Sequence, residues 1–363
     1  MWQGIYGHDA VVRQFGQSLA NNRLASSYLF LGPPGVGKRT FAWKLAKALL
    51  CGGRADGATS RETAQPTSGQ LIDPCDTCES CRLLEAGNHP DIDTARLPAD
   101  KRVLPIKLFI GDRAHRNQEG LCHNLAMRPM LGERRVAIID DADHLTPESS
   151  NCLLKTLEEP APGATLILIG TSRARQLPTI LSRTQIVRFS PLAPDVMRDL
   201  LIQTNIVTEP SGAARLAQRS GGSLERARTL ADPQMSEFEE RLLPQLAPSR
   251  FDSRHLVVEV TDFVNQGGKE NNDRRRRLRH VFQVVGGHFR QTMYVSCGAP
   301  PPHGLAGIQA TETCSPELAL AAIDRCLDAE VELDRNANQA TLVECWLDDL
   351  ARIFMGSSPP SAN

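Results

Sequence analysis

The sequence has almost no net charge and no long apolar run, and each absence removes a class of function. A formal net charge of −1 gives the chain as a whole no electrostatic pull toward nucleic acid or a membrane surface. Contact with DNA is therefore expected through partners or a small local patch. No stretch approaches the ~18 apolar residues needed to cross a bilayer. The opening residues, MWQGIYGHDAVV, lack the basic-then-apolar order of a secretory signal. A cytoplasmic location with no membrane contact is the expectation. What is present is ordinary globular composition, 41% apolar and 23% charged over 363 residues, enough for about two or three domains.

The chain is organised around Tyr28–Thr40, YLFLGPPGVGKRT. A short apolar run enters Gly32-Pro33-Pro34-Gly35-Val36-Gly37-Lys38, and a strong helix-forming segment from Phe41 to Leu50 follows. Strand, glycine loop and helix are the setting in which backbone N–H groups can wrap phosphate oxygens, with Lys38 reaching the outer phosphates. Gly32, Gly35, Gly37, Lys38, Thr40 and Asp140 form the candidate nucleotide site. One position departs from the motif: Arg39 stands where a Ser or Thr would hold Mg2+, and Thr40 comes one place late.

Near-continuous apolar strands at 136–140, 165–171 and 186–189 alternate with helices at 11–20, 41–50 and 147–159. That pattern predicts a parallel sheet covered on both faces. Thr146 and Pro147 give the helix at 147 a cap and a first-turn proline. Leu104–Leu125 reads as helical, with Asn117, Leu121 and Leu125 in phase. Residues 52–71 lack periodicity and read as a flexible insertion. After Pro191 the pattern turns helical, broken at Gly221-Gly222-Ser223 and again between Gly298 and Gly307. No internal repeat is present. The one concentrated basic feature, Arg274–Arg277, fits a solvated helix face, a phosphate or DNA contact, or a protein interface.

Ten cysteines include a group, Cys51, Cys75, Cys78 and Cys81. Four thiolates suit a closed tetrahedral Zn2+ site, while an iron–sulfur cluster, a redox pair and idle thiols stay open on spacing alone. His89, just before Pro90, reads as a structural histidine. Asp140, at the end of a strand, sits where a nucleotide hydrolase places its Mg2+-binding acid. Asp141 follows it, one methylene shorter than the expected Glu.

Together, Tyr28–Thr40, the cysteine group followed by Asn88–Asp91, Val136–Asp143, Asn151–Pro160 and Leu177–Arg183 resemble the delta-prime family of bacterial DNA polymerase III clamp-loader subunits, within the AAA+ superfamily. Leu333–Asn338 resembles the segment before the last helix of that family. The resemblance implies an α/β P-loop core at 1–190 with an inserted zinc module at 51–81, a small helical lid at 191–245, an all-helical collar at 250–352 that assembles the subunits, and a disordered tail at 353–363. It implies structural Zn2+ on Cys51, Cys75, Cys78 and Cys81, and Arg183 as an arginine finger offered in trans. The implied partners are clamp-loader motor subunits and a delta-type subunit in a hetero-oligomer, and through the complex the sliding clamp and primer–template DNA. Arg39, Asp141 and Glu225 depart from the active pattern. At the lid, Arg226 is one place late for a phosphate contact, a turn of about 100° on a helix. Thr184 replaces the usual cysteine after the finger. The expectation is a weak or inactive ATPase within a polymerase holoenzyme, with ATP/Mg2+ binding weak or absent. A self-sufficient motor subunit and a zinc-containing DNA-binding module on an inactive scaffold are the rival readings.

Overall fold

A computed structural model describes residues 2, 4–21, 23–54, 73–98, 101, 103–268, 271–299, 314–334 and 337–356. Most of the 52–71 insertion, most of the 298–307 break and residues 357–363 lie outside the described residues. The chain divides into two units, Met1–Val196 with Ser223–Glu225, and Met197–Gly222 with Arg226–Asn363.

The first unit runs α1 (Asp9–Ala20), β1 (Ser27–Leu31), α2 (Lys38–Leu50), α3 (Glu79–Glu85), β2 (Ile92–Ala95), α4 (Lys107–Ile110), α5 (Leu121–Ala126), β3 (Arg135–Ile139), α6 (Pro147–Glu158), β4 (Ala164–Gly170), α7 (Pro178–Leu181) and β5 (Gln185–Arg188). The five strands pair in parallel in the order β2-β3-β4-β1-β5. Successive strand side chains point to opposite faces, and both faces are buried. Tyr28, Phe30, Ile138 and Ile167 pack with Phe15 of α1 and Phe41 and Leu45 of α2. Leu29, Leu31, Ile139 and Leu168 pack on the other side with Leu125, Leu153 and Ile180. This is the covered parallel sheet that the apolar strands predicted. As predicted, Thr146 caps α6, its hydroxyl accepting from Ser149 N–H, and Pro147 opens the helix.

Two features differ from the sequence reading. Leu104–Leu125 is not one helix: α4 and α5 are short, and Asn117 has φ 62°. Gly111 and Gly120, at φ 78° and 96°, take conformations closed to a continuing helix, and only Leu121 and Leu125 share a helical face. Strand β2 was not foreseen. It is four residues long with one buried side chain, so its identity comes from pairing with β3 rather than from a pattern. The preceding Asn88–Asp91 block anchors it. Asp91 is fully buried, its carboxylate accepting 2.7 Å hydrogen bonds from the backbone N–H of Met130 and Leu131. His89 Nδ1 accepts from Asp91 N–H, and its Nε2 meets Ser80 Oγ at 3.1 Å.

The second unit holds α8 (Pro194–Gln203) from Met197, α9 (Pro210–Arg219), α10 (Leu224–Leu230) from Arg226, α11 (Pro233–Leu242), α12 (Ser253–Asn265), α13 (Asn271–Ser296), α14 (Pro316–Asp334) and α15 (Gln339–Phe354). One core joins α11 through α15, with Phe238 stacked on Phe263 at 3.8 Å and Phe282 edge-on to Trp346. Of the expected tail, residues 353 and 354 still belong to α15. The arginine run is mostly engaged by groups of its own chain. Arg277 is buried, donating to Phe263 O and Gln234 Oε1 with its guanidinium over the Phe263 ring. Arg274 donates to Gly268 O, and Arg275 to Leu333 O in the last turn of α14. Arg276 is exposed beside Asp273. Three of the four cations thus meet carbonyls at or just past helix C-termini, where the helix dipole favours positive charge. Glu239, also buried, is held by Arg219 and by His280 at 2.9 Å.

Burial alone pushes the His288 imidazole down to about 4. Since the unfolded histidine keeps a value near 6.5, the unfolded chain takes up this proton first. Stability is complete above about pH 6.5 and falls as pH drops toward 4, by roughly 3 kcal/mol for this group. Urea unfolding across that range should show the slope, and His288→Leu should flatten it; an unchanged slope in the variant would exclude His288 as its source.

Candidate functional site

Parallel strands bring the carboxyl ends of β1, β3 and β4 to one edge of the sheet, and the candidate nucleotide site is built there. Leaving β1, the loop turns through Gly35 at φ 73° and Gly37 at φ 98°, and Gly37 is the N-cap of α2. Lys38 is buried and donates 2.6 Å hydrogen bonds to the carbonyls of Gly32 and Pro33. Its burial draws the ammonium pKa down, against the pull of Asp143 and Asp140. Gly35 has no room for a side chain. A Cβ there would strike Ser223 Oγ and lie 2.8 Å from Glu225 Cβ, while Gly35 O accepts from Leu224 N–H at 2.9 Å. Behind the loop, His8 Nε2 meets Val36 O at 2.7 Å and its ring packs edge-on against Phe189.

The acids at the end of β3 have separate tasks. Asp140 lies 3.4 Å from the Arg39 guanidinium. Burial first, and then Asp141, push its carboxyl pKa up, with Arg39 opposing. Asp141 has φ 59° at the start of a short 3-10 turn, Ala142–His144, a left-handed position that Asp tolerates better than most residues. Asp143 is engaged by Thr171, through N–H and hydroxyl, and by Gln176 Nε2. Thr40 does not join this group. It lines a different cavity of about 550 Å3, with Trp43, Lys44, Lys47, Asp76 and Leu84.

Cys51, Cys75, Cys78 and Cys81 converge, their Sγ atoms all within 4.8 Å of one another. A Zn2+ with ligands at ~2.3 Å has sulfur–sulfur edges of about 3.8 Å, so the four donors fit the ion with small adjustments. The chain closes around them. Cys75 N–H donates to Cys51 Sγ, Cys78 N–H to Cys75 Sγ, and Cys81 N–H to Cys78 Sγ. Backbone N–H donors from Thr77 and Cys78 bring the Cys75 thiol down to about 5, whereas burial pushes Cys51 and Cys81 up. Lys47 of α2 ties the module in place through Asp76 and Glu85, both at 2.5 Å.

Arg183, just beyond α7, is bound by groups of its own chain. Its Nε and Nη2 donate to Glu158 Oε1 at 2.8 and 2.6 Å, and Nη1 reaches Thr179 O and Ser182 Oγ. One-third of its side chain remains exposed.

The family model described as DNA polymerase III, delta subunit, matches residues 7–193, just over half of the chain. This chain belongs to the clamp-loader family of AAA+ proteins. It is 28% identical over 233 residues to the DNA polymerase III subunit delta' of Bacillus subtilis, covering 64% of this chain and 62% of that protein. It is 32% identical over 235 residues to the subunit tau/gamma of Haemophilus influenzae, covering 63% of this chain and 30% of that one. The chain therefore spans less than two-thirds of the length of these curated relatives. A solved gamma subunit-related protein of Thermotoga maritima aligns over 94% of this chain and 99% of its own at 15% identity, with a TM-score of 0.42.

In this clamp-loader chain the sequence reading missed four contributors to the site: His8, Thr171, Gln176 and Glu158. Each acts across 25 or more residues, from His8 to Val36, Asp143 to Thr171 and Gln176, and Glu158 to Arg183. No local pattern announces such contacts. Among the described residues, no helix is long and apolar enough to cross a membrane.

The cysteine group gives a direct test. Gly53 leaves space for the Cys75 sulfur, since a Cβ there would lie 2.9 Å from Sγ. The purified chain should carry zinc, Cys81→Ser should lose it, and Gly53→Ala should weaken zinc retention by about tenfold or more. Metal analysis and competition with a chromogenic chelator would measure this; wild-type retention in Gly53→Ala would show that the packing around Cys75 is not what shapes the site.

Proposed function

We propose that this chain is a delta-prime-type, non-motor subunit of a bacterial replicative clamp loader. It acts in the cytoplasm, away from membranes, in a hetero-oligomeric ring with motor subunits and a delta-type subunit. The observation that carries this reading is the Arg39–Asp140 pair at 3.4 Å. An arginine has replaced the hydroxyl that would hold Mg2+, and it occupies the acid that would share the ion. Asp141 in its left-handed turn and Glu225 against the glycine loop support the same conclusion. Neither supplies a group that positions attacking water or contacts phosphate as an active relative's would.

In this reading the chain completes the ring and offers Arg183 in trans to ATP held by a neighbour. There the planar guanidinium offsets charge that builds on the transferring phosphoryl group. The pair with Glu158 holds the finger ready until a neighbour's phosphates compete for it. The assembled complex uses ATP to load the sliding clamp onto primer–template DNA. The B. subtilis relative, a subunit delta' by name, supports this assignment. The intact glycine loop with Lys38 is the feature shared with a motor subunit.

The test is ATP turnover by a ring reconstituted from this chain and motor subunits, with sliding clamp and primed DNA. Arg183→Ala should cut turnover by at least about tenfold, as expected for loss of an arginine finger. Lys38→Ala should leave turnover close to wild type. Glu158→Gln, which removes the charge that holds the finger, should leave turnover at or above wild type. If Lys38→Ala is the damaging change, the chain hydrolyses ATP itself and the non-motor reading fails.

A further inference from the structure

Magnesium is the ion that the fold family implies at this site, and the residues present do not fit it. Mg2+ requires near-octahedral oxygen ligands at about 2.1 Å. The side chain after Lys38, that of Arg39, carries no oxygen, and the nearest hydroxyl in sequence, on Thr40, lines another cavity. Asp140 is paired with Arg39. The Asp143 carboxylate is taken up by Thr171 and Gln176. A divalent ion at Asp140 would sit against a guanidinium already there, and like charges at that range repel.

The anion-binding half of the site is intact. The glycine loop turns through two positive-φ glycines into α2. Lys38 uses two of its three N–H donors on Gly32 and Pro33, which leaves one for a phosphate oxygen. Arg39 follows directly, with about half of its side chain exposed, and a guanidinium fork matches phosphate oxygens.

We infer that this loop binds a nucleoside polyphosphate without a divalent cation, the Arg39 guanidinium serving as the fixed positive charge where Mg2+ would otherwise sit. The inference rests on the non-motor reading and deepens it. A site whose cation is a side chain can bind a nucleotide without turning it over, because it lacks the mobile ion that organises phosphoryl transfer.

The experiment is calorimetric titration of the full chain with ATP and with ADP, in excess Mg2+ and in EDTA. Wild-type affinity should differ by less than about threefold between the two conditions. Arg39→Ala should weaken binding in EDTA by about tenfold or more, with Lys38→Ala as the loss-of-cradle control. Arg39→Ser, which restores a hydroxyl and frees Asp140, should bind at least about tenfold more tightly with Mg2+ than with EDTA. Wild-type binding strengthened about tenfold or more by Mg2+ would overturn the inference, and so would the absence of saturable binding of both nucleotides. Either failure leaves the non-motor reading standing, because that reading falls only if ring turnover depends on Lys38.

Discussion

The parallel pairing of β1, β3 and β4 is the constraint from which the rest of the first unit follows. Leu29 to Gly170 are tied by a register that sets Leu31 beside Gly170 and Ile139 beside Leu168. Because the strands run the same way, the residues that follow them emerge at one edge. Gly32 opens the glycine loop there, Asp140 follows β3, and Thr171 follows β4. A one-residue slip would move every strand side chain to the opposite face, sending Phe30 and Ile138 into the core that Leu29 and Ile139 now fill. Two buried cores on opposite faces make that slip costly, so packing fixes the geometry of the site before any ligand enters.

Several charged groups of this molecule are engaged in internal contacts. The arginine run, which in sequence fits a solvated helix face, a phosphate or DNA contact, or a protein interface, reaches carbonyls near helix ends and an aromatic face. Glu239 sits buried between Arg219 and His280, and Asp91 accepts two backbone N–H groups with no exposure. Breaking one side of such a buried arrangement leaves the other uncompensated, which is why these contacts define geometry more than they add net stability. Arg39 with Asp140 follows the same logic beside the glycine loop, where a cation of the chain itself pairs with the acid at the end of β3.

The cysteine module places a second anchor beside α2, the helix that begins at the glycine loop. Its four sulfurs close on one another, and Lys47 links α2 to Asp76 and Glu85. Thr40 lies on the module's side of that helix rather than with the loop. One helix therefore borders both the glycine loop at its N-terminus and the cysteine cluster along its flank. A shift of one residue, from position 39 to 40, puts the hydroxyl on the cavity that borders the cysteine module.

The sequence by itself determined the covered parallel sheet, the glycine loop, the cap and proline of α6, the cysteine group and the helical remainder. Each depends mainly on residues close in the chain: runs of apolar strand residues, the 3.6-residue period, or three cysteines at two-residue gaps that Cys51 joins from further away. It did not determine β2, the break at Asn117, the direction of Thr40, or the tasks of His8, Glu158, Thr171 and Gln176. A four-residue edge strand with one buried side chain has no pattern of its own. Asn117 departs from a helix because Gly111 and Gly120 turn the backbone on either side. The arginine run carries the same four charges in sequence whether it faces water or carbonyls; only the neighbouring helix ends decided which. That Arg39 meets Asp140 is likewise a property of the folded chain. Contacts across dozens of residues are set by how helices pack on the sheet, and no short stretch contains that information.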